Sequence, residues 1–337
     1  MENRSDTMEH DDLAKKVPAG SLMSFPTTPF TPKDRVDLDV LAQHVEIQLS
    51  YGARAVFPGC GTGEMQSLSP EEHVRVVAAV VDVVNGRVPV FAGVGFGLAA
   101  SRQMVSVAAE AGADGALVFP PYLAPGDENA LLDYYATIAA AAPVDFGLII
   151  YQRDGQSLPP EGLKRLARIR NVVGLKDGNG LVDVMQQQVA AVEGAEFLFF
   201  NGTPTAELYA PALASIGVPS YSSALLNMIP EFAAAFNAAA ARGDSQAIRQ
   251  LTDRVVLPFT LLRDRVPGYA ISLVKEAVQM RGIPVGKVRV PLPAPREEDR
   301  KDLQAFLEGI GLFSDLMPCQ NANERADWRP NASDSKI

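Results

Sequence analysis

Residues 146–178 read FGLIIYQRDGQSLPPEGLKRLARIRNVVGLKDG, and the order of elements in this stretch decides the fold. Phe146–Tyr151 is a short apolar run with the length of a buried parallel strand. Pro160–Ile169 places apolar side chains at helical spacing behind a proline that suits a first helical turn. Val172–Lys176 is a second apolar run. A strand, a helix and a strand in immediate succession form a parallel pair joined by a right-handed crossover.

Working outward, the same alternation fills the chain. Further strand-like runs are Leu22–Phe25, Ala55–Phe57, Pro89–Val94, Gly115–Phe119, Phe197–Phe200 and Val218–Ser222. Helix-like stretches are Asp39–Tyr51, Pro70–Val84, Ser101–Ala111, Glu128–Ala141 and Leu181–Val192, with Ser69-Pro70-Glu71-Glu72 a clear helix start. Eight such units either close into a barrel or lie open as a doubly wound sheet. No Gly-x-Gly-x-x-Gly follows the first strand, and polar or special residues end nearly every strand instead of gathering at one crevice. The expected fold is therefore α/β, a (β/α)8 TIM barrel with a C-terminal helical region. The helical segments Pro230–Ala241, Ser245–Leu262, Tyr269–Gln279 and Glu297–Leu307 follow the last strand, the first of them completing the barrel. The expected organisation is a flexible arm over 1–20, the barrel over 21–242, the helical region over 243–313 and a flexible tail over 314–337, both ends being polar.

The composition, 47% hydrophobic and 21% charged, is that of a globular chain with ample material for one large core. A net charge of −10 repels phosphate backbones and argues against nucleic acid as a partner, without excluding a small anionic substrate. No apolar run reaches the ~18–20 residues that span a bilayer, and the N-terminus lacks the apolar core of a secretory signal, so no membrane partner is expected. Cys60 and Cys319 have no metal-type spacing and read as reduced thiols, which points to a cytoplasmic protein. The three histidines, His10, His44 and His73, form no ligand cluster and no triad, so no metal site is expected.

Catalytic groups of a barrel sit at the carboxyl ends of its strands. Lys176 ends the sixth run. Burial there would favour its neutral amine, which can attack a ketone. The pattern alone fits a lysine that reaches out to solvent as well. Tyr151 ends the fifth run and could relay protons, or could simply sit at the rim with its hydroxyl in water. Gly59-Cys60-Gly61-Thr62-Gly63 is a glycine-rich turn whose N–H groups, with the Thr62 hydroxyl, suit a carboxylate or phosphate; a plain tight turn fits equally. Cys60 has no base at its side and reads as a small buried side chain.

Taken together, from about Ser21 to Ile310, these strand ends resemble the dihydrodipicolinate synthase and N-acetylneuraminate lyase superfamily. The resemblance implies that Gly61-Thr62-Gly63-Glu64 binds a keto-acid carboxylate through Gly61 and Thr62. It also implies that Tyr151 relays protons and that Lys176, in its Gly-x-Lys-Asp setting, forms a Schiff base. Further stretches look like the branch that acts on 5-dehydro-4-deoxyglucarate: Pro120-Pro121-Tyr122-Leu123, Leu175-Lys176-Asp177-Gly178-Asn179-Gly180, Pro204-Thr205-Ala206-Glu207, Tyr221-Ser222-Ser223-Ala224 followed by Asn227 and Pro230-Glu231, and Gly268-Tyr269-Ala270-Ile271-Ser272-Leu273-Val274-Lys275. Against the synthase proper, Gln156 replaces an arginine five residues after the tyrosine and Leu123 replaces a second tyrosine. Against the branch, Met65-Gln66 stands in place of two aromatics and Gln152 in place of Asn, near the expected mouth of the site.

The activity so implied is dehydration and decarboxylation of 5-dehydro-4-deoxy-D-glucarate, a small keto sugar acid of glucarate catabolism, to 2,5-dioxopentanoate, water and CO2. It needs no metal and no organic cofactor. Arg153, Asn201, Thr203, Ser222 and Ser223 are the candidates to hold the distal carboxylate, Arg153 having an outward ion pair with Asp154 as its competing role. The resemblance also implies a homo-oligomer, dimer or tetramer. Two alternatives stay open: an aldolase that uses the same lysine to break a carbon–carbon bond, and a non-catalytic keto-acid sensor.

Overall fold

The computed structural model describes residue 13, residues 16–123 and residues 126–312. Most of the expected N-terminal arm and the expected tail from 314 onward, with His10 and Cys319, lie outside the described residues.

Eight strands are present: β1 (Leu22–Ser24), β2 (Ala55–Val56), β3 (Phe91–Val94), β4 (Gly115–Val118), β5 (Gly147–Gln152), β6 (Val172–Asp177), β7 (Leu198–Asn201) and β8 (Ser220–Ser223). They hydrogen-bond in the order β2-β1-β8-β7-β6-β5-β4-β3, with every paired neighbour parallel. A parallel bridge from Val56 to Val90 joins the two ends of this order and closes the barrel. All eight lie within or beside the apolar runs read from the sequence.

Six helices alternate with the first strands: α1 (Leu38–Ser50), α2 (Pro70–Val84), α3 (Leu98–Glu110), α4 (Glu128–Ala141), α5 (Pro160–Leu166) and α6 (Val182–Ala191). Three of them start on short polar side chains. Asp37 and Asp127 cap α1 and α4, and Ser69 with Glu72 forms a reciprocal capping box on α2. Four pieces were not legible in the sequence: 3-10 turns at Met65–Ser67 and Ala206–Leu208, α7 (Ala210–Ala214) and α8 (Leu225–Met228). Each is too short to show a helical period. Then come α9 (Pro230–Ala241), α10 (Ser245–Leu251), α11 (Leu257–Arg263), α12 (Tyr269–Met280) and α13 (Glu297–Gly309). The segment expected as one helix over Ser245–Leu262 is interrupted by a π turn at Thr252–Val256. Pro258, in the first turn of α11, has no N–H to give, so a regular α ladder cannot run through it.

The barrel interior is filled by side chains. Phe57 stacks on Phe25 at 4.4 Å and on Phe91 at 5.1 Å, and meets Phe200 at 5.6 Å. Leu13 and Val17, from the segment expected to be a flexible arm, are buried in this same cluster. Leu13 lies where a β-carbon on Gly147, the first residue of β5, would meet it. The C-terminal helices share one core with the barrel: Leu22 and Tyr221 of β1 and β8 cluster with Phe259, Leu273, Leu303 and Leu307. That continuity holds the C-terminal region over the barrel mouth. Among the described residues no helix is long and apolar enough to cross a membrane.

Candidate active site

The phase of β6 sets the direction of Lys176. Along the β5–β6 ladder Leu148 pairs Val172 but Ile149 pairs Gly174, so Val173 is an extra residue. Such a bulge shifts the inside–outside alternation of the residues beyond it. Gly174 admits the irregularity, because a β-carbon there would lie 2.6 Å from the Leu198 carbonyl oxygen. Beyond the bulge Tyr151 and Lys176 are direct partners. Lys176 turns inward: its Nζ lies 5.1 Å from the ring centre of Phe25, which belongs to the barrel interior.

Lys176 is only 5% exposed. Its Nζ lies 3.6 Å from the Tyr151 ring centre and donates to the Gly202 carbonyl at 3.3 Å. The Tyr151 hydroxyl donates to the same carbonyl at 3.4 Å. Burial holds the Lys176 amine below the usual lysine range; Tyr151 and Cys60 oppose that effect, and Arg153 adds to it. A β-carbon on Gly202 would stand 2.4 Å from Nζ, so the close approach of β7 requires glycine. The Tyr151 ring is held edge-on by Phe119 at 5.1 Å.

The glycine-rich turn after β2 is fixed from outside the cavity. Gly59 has φ +59° and a β-carbon on Gly93 would lie 2.1 Å from the Gly59 oxygen, so two chain segments touch there. Thr28 donates its hydroxyl to the Gly63 carbonyl at 2.7 Å. Glu64, buried, accepts from Lys275 Nζ at 2.7 Å and from the Arg289 amide at 2.8 Å. It therefore anchors the turn, while Gly61 and Thr62 face the cavity. Cys60 is fully buried and burial pushes its thiol far above the usual range, which agrees with a packing role.

Gly61, Thr62, Tyr151 and Lys176 thus meet around one cavity of about 170 Å³ at the carboxyl ends of the strands. That volume is below the ~300–1,000 Å³ of pockets for drug-sized molecules and suits a small metabolite. Larger clefts exist, about 800 Å³ beside Lys287 and Val290 and about 520 Å³ beside Ser157 and Pro159. Neither is lined by Lys176 or Tyr151, so the chemistry and not the size locates the site.

Of the distal candidates, Arg153, Thr203 and Ser222 line the cavity and Asn201 and Ser223 do not. The strand pleat explains the division within β8, where Ser222 pairs the interior Met23 and Ser223 faces the other way. Asn201 is buried in the next turn, giving its amide N–H to the Ala206 carbonyl at 2.8 Å and accepting from Thr203 N at 3.0 Å and Thr203 Oγ1 at 2.8 Å. Ser223 donates to Glu207 and accepts from Leu226 N at 3.0 Å. Glu207 is itself pushed up to about 7 by burial. Arg153 lines the cavity and also makes the expected ion pair with Asp154, at 2.7 Å.

The residues read as departures near the mouth prove to lie elsewhere. Gln152 faces outward, donating to Asp177 at 2.9 Å and to Gln188 at 3.0 Å. Asp177 in turn accepts from the amides of Asn179 and Gly180 and so shapes the loop after Lys176. Met65 packs under Gly95, and neither it nor Gln66 lines the cavity. Reading strand ends alone missed Thr205 and four side chains from the helical region, Phe259, Arg263, Ala270 and Ile271. The stretches Pro204–Glu207 and Gly268–Lys275 were the available signals for Thr205, Ala270 and Ile271; Phe259 and Arg263 had none.

A model of the dihydrodipicolinate synthetase family matches residues 18–310. A protein of Streptomyces coelicolor named probable 5-dehydro-4-deoxyglucarate dehydratase 1 is 46% identical over 296 residues, covering 87% of this chain and 93% of that one. A protein of Bacillus subtilis named probable 5-dehydro-4-deoxyglucarate dehydratase is 37% identical over 295 residues, 87% of this chain and 94% of its own. Among solved structures, dihydrodipicolinate synthase from Oceanobacillus iheyensis superposes with a TM-score of 0.81 at 28% identity, covering 89% of this chain and 98% of that one.

Proposed function

The chain belongs to the dihydrodipicolinate synthetase family, and from that premise we propose that it dehydrates and decarboxylates 5-dehydro-4-deoxy-D-glucarate through a Schiff base on Lys176. One observation carries the reading: a buried lysine with a lowered pKa, held against Tyr151 and Gly202 within the same cavity as Gly61 and Thr62. The names of the relatives supply the substrate.

In this reading Gly61 and Thr62 hold the carboxylate next to the ketone. The neutral Lys176 amine attacks the ketone, and Tyr151 moves protons to and from the carbinolamine until water leaves and an iminium remains. The iminium nitrogen draws electrons and acidifies the neighbouring CH2. Loss of that proton and of the β-hydroxyl as water gives an unsaturated iminium. The distal carboxylate is now conjugated, one carbon removed, to the same nitrogen. Its CO2 leaves and the electron pair flows into that sink. Protonation, enol-to-aldehyde tautomerisation and hydrolysis release 2,5-dioxopentanoate and free Lys176.

The test is product analysis of the purified protein with 5-dehydro-4-deoxyglucarate. CO2 and 2,5-dioxopentanoate in equal amounts, both lost in Lys176→Ala, support the reading. Pyruvate and a three-carbon aldehyde acid instead would show an aldolase and end it.

A further inference from the structure

We propose that Arg263, on α11 outside the barrel, is the specificity-determining residue that recognises the distal carboxylate of the substrate; the inference rests on the keto-diacid reading above.

Four observations lead to it. First, the cavity has two arginines and they serve different walls. Arg153 leans over the Tyr151 ring at 5.4 Å, and its Nη1 lies 3.9 Å from where a β-carbon on Gly61 would stand. It therefore reaches the turn that would hold the near carboxylate. Arg263 is fastened to the opposite side of the chemistry, the loop after β7, where its Nη1 donates to Thr205 Oγ1 at 2.5 Å.

Second, two of the cavity hydroxyls on that wall are already committed, and the third, that of Thr205, is held by Arg263 and acts with it. A hydroxyl has one proton to give. Thr203 gives its proton to Asn201 Oδ1 and Ser222 gives its own to the Asn201 carbonyl at 3.2 Å. A carboxylate accepts and cannot donate, so these two groups offer it nothing without breaking the bonds that shape the loop.

Third, Arg263 has donors in hand. A guanidinium carries five N–H groups. Nε and Nη2 face Asp264, at 2.8 and 2.7 Å, and Nη1 uses one on Thr205. Two N–H groups remain. The Arg263 side chain is only 11% exposed whereas Asp264 is 60% exposed, so water screens the counter-charge more than it screens the guanidinium. Charge-assisted pairing with a carboxylate in the cavity remains favourable.

Fourth, the backbone on both sides of the contact is unusual. Thr205, β-branched, sits at φ +51°, in the left-handed region that such residues avoid. That conformation turns its hydroxyl onto Arg263. On the other side, the π turn at Thr252–Val256 rotates α11 so that Phe259 and Arg263, one helical turn apart, both line the cavity. Backbone departures of this kind gather at ligand sites.

The inference is tested on the full chain by borohydride trapping with three acids: 2-oxoadipate, a six-carbon diacid without hydroxyls; 2-oxohexanoate, the same length with no distal carboxylate; and pyruvate. The wild type is expected to prefer 2-oxoadipate to 2-oxohexanoate. In Arg263→Met that preference falls about 10- to 100-fold, the share of one or two charge-assisted hydrogen bonds, while half-saturation by pyruvate stays in place. Arg263→Lys restores part of it. Arg153→Met weakens all three acids alike. A preference that survives in Arg263→Met, pyruvate trapping that falls in step with it, or a preference lost in Arg153→Met would each overturn the assignment. Calorimetric binding of the two six-carbon acids to Lys176→Met protein reads the same preference without any adduct, so failure of the Schiff-base reading is told apart from failure of this one.

Discussion

Two buried lysines stand on opposite sides of the glycine-rich turn, and their fates differ. Lys275 is 1% exposed, lies 4.0 Å from the Phe30 ring centre and is paired to the buried Glu64 at 2.7 Å. Lys176 is almost as buried and also lies over an aromatic ring, yet no ion pair for it is found among the described residues; a backbone carbonyl and a phenol are its neighbours. Burial pulls both amines down, Lys275 to about 8 against the pull of Glu64. The difference teaches that burial alone does not make a nucleophile. With a carboxylate partner the ammonium is a fastening; without one the cheapest response to burial is to lose the proton.

The largest effect expected from this contrast is an exchange of phenotypes. Lys176→Met abolishes turnover and trapping, a loss on the order of 10⁶-fold or more, the lower bound of enzymatic acceleration, while the fold melts close to the wild type. Lys275→Met keeps a trappable lysine but leaves the buried Glu64 without its ion-pair partner, costing ~3–5 kcal/mol of stability. Adding Glu64→Gln recovers much of it. Kinetics and thermal melts of the three proteins decide, and trapping that survives in Lys176→Met would break the comparison.

Next comes the proposed proton relay. Tyr151→Phe removes the hydroxyl and keeps the ring beneath Nζ. The expected kcat loss is ~10²–10⁴-fold, the usual share of a positioned acid–base group, with the adduct still forming slowly. A kcat unchanged by the substitution would assign the relay elsewhere.

Smaller again is Gly202→Ala. Its β-carbon would stand 2.4 Å from Nζ and 2.6 Å from Cε of Lys176. The lysine must move, and a displacement of about 1 Å at a reacting group costs ~10²-fold. Stability should change little by comparison, because a flexible side chain gives way. A crystal structure of the variant with Nζ unmoved, or full activity, contradicts the account.

How far the sequence carries the contrast depends on what positions each residue. All eight strands were legible, since nearly all are short apolar runs between turn signals; the run ends placed Lys176 and Tyr151 at the carboxyl side of the barrel but left their roles open, and only the family resemblance singled them out. The direction of β7 and β8 was not legible. Phe197–Phe200 is apolar throughout and shows no alternation, so nothing told Asn201 from an inward residue; Ser222-Ser223 repeats one side chain across both faces. The bulge at Val173 has no sequence signature beyond Gly174. Arg263 was out of reach for another reason. It enters the cavity from a helix that only tertiary packing brings over the barrel mouth, at a phase set by a π turn.

The smallest effect is the most direct probe of the contrast. Schiff-base formation needs the neutral amine, so the rate of pyruvate trapping rises with pH as Lys176 loses its proton. The folded group lies below the ordinary 10.5 because its charged form is desolvated. The half-maximal rate is therefore expected below pH 10.5. Three facing groups act on it: Arg153 just after β5 disfavours a second positive charge, while Tyr151 on β5 and Cys60 after β2 favour the ammonium. Arg153→Met removes the repulsion and must move the midpoint up; a Lys275→Met protein, whose lost charge sits behind the turn, must leave it unmoved. Trapping rates across pH in the three proteins measure this. A midpoint at 10.5 in the wild type, or one that falls in Arg153→Met, would mean that Lys176 answers to solvent and not to the wall around it.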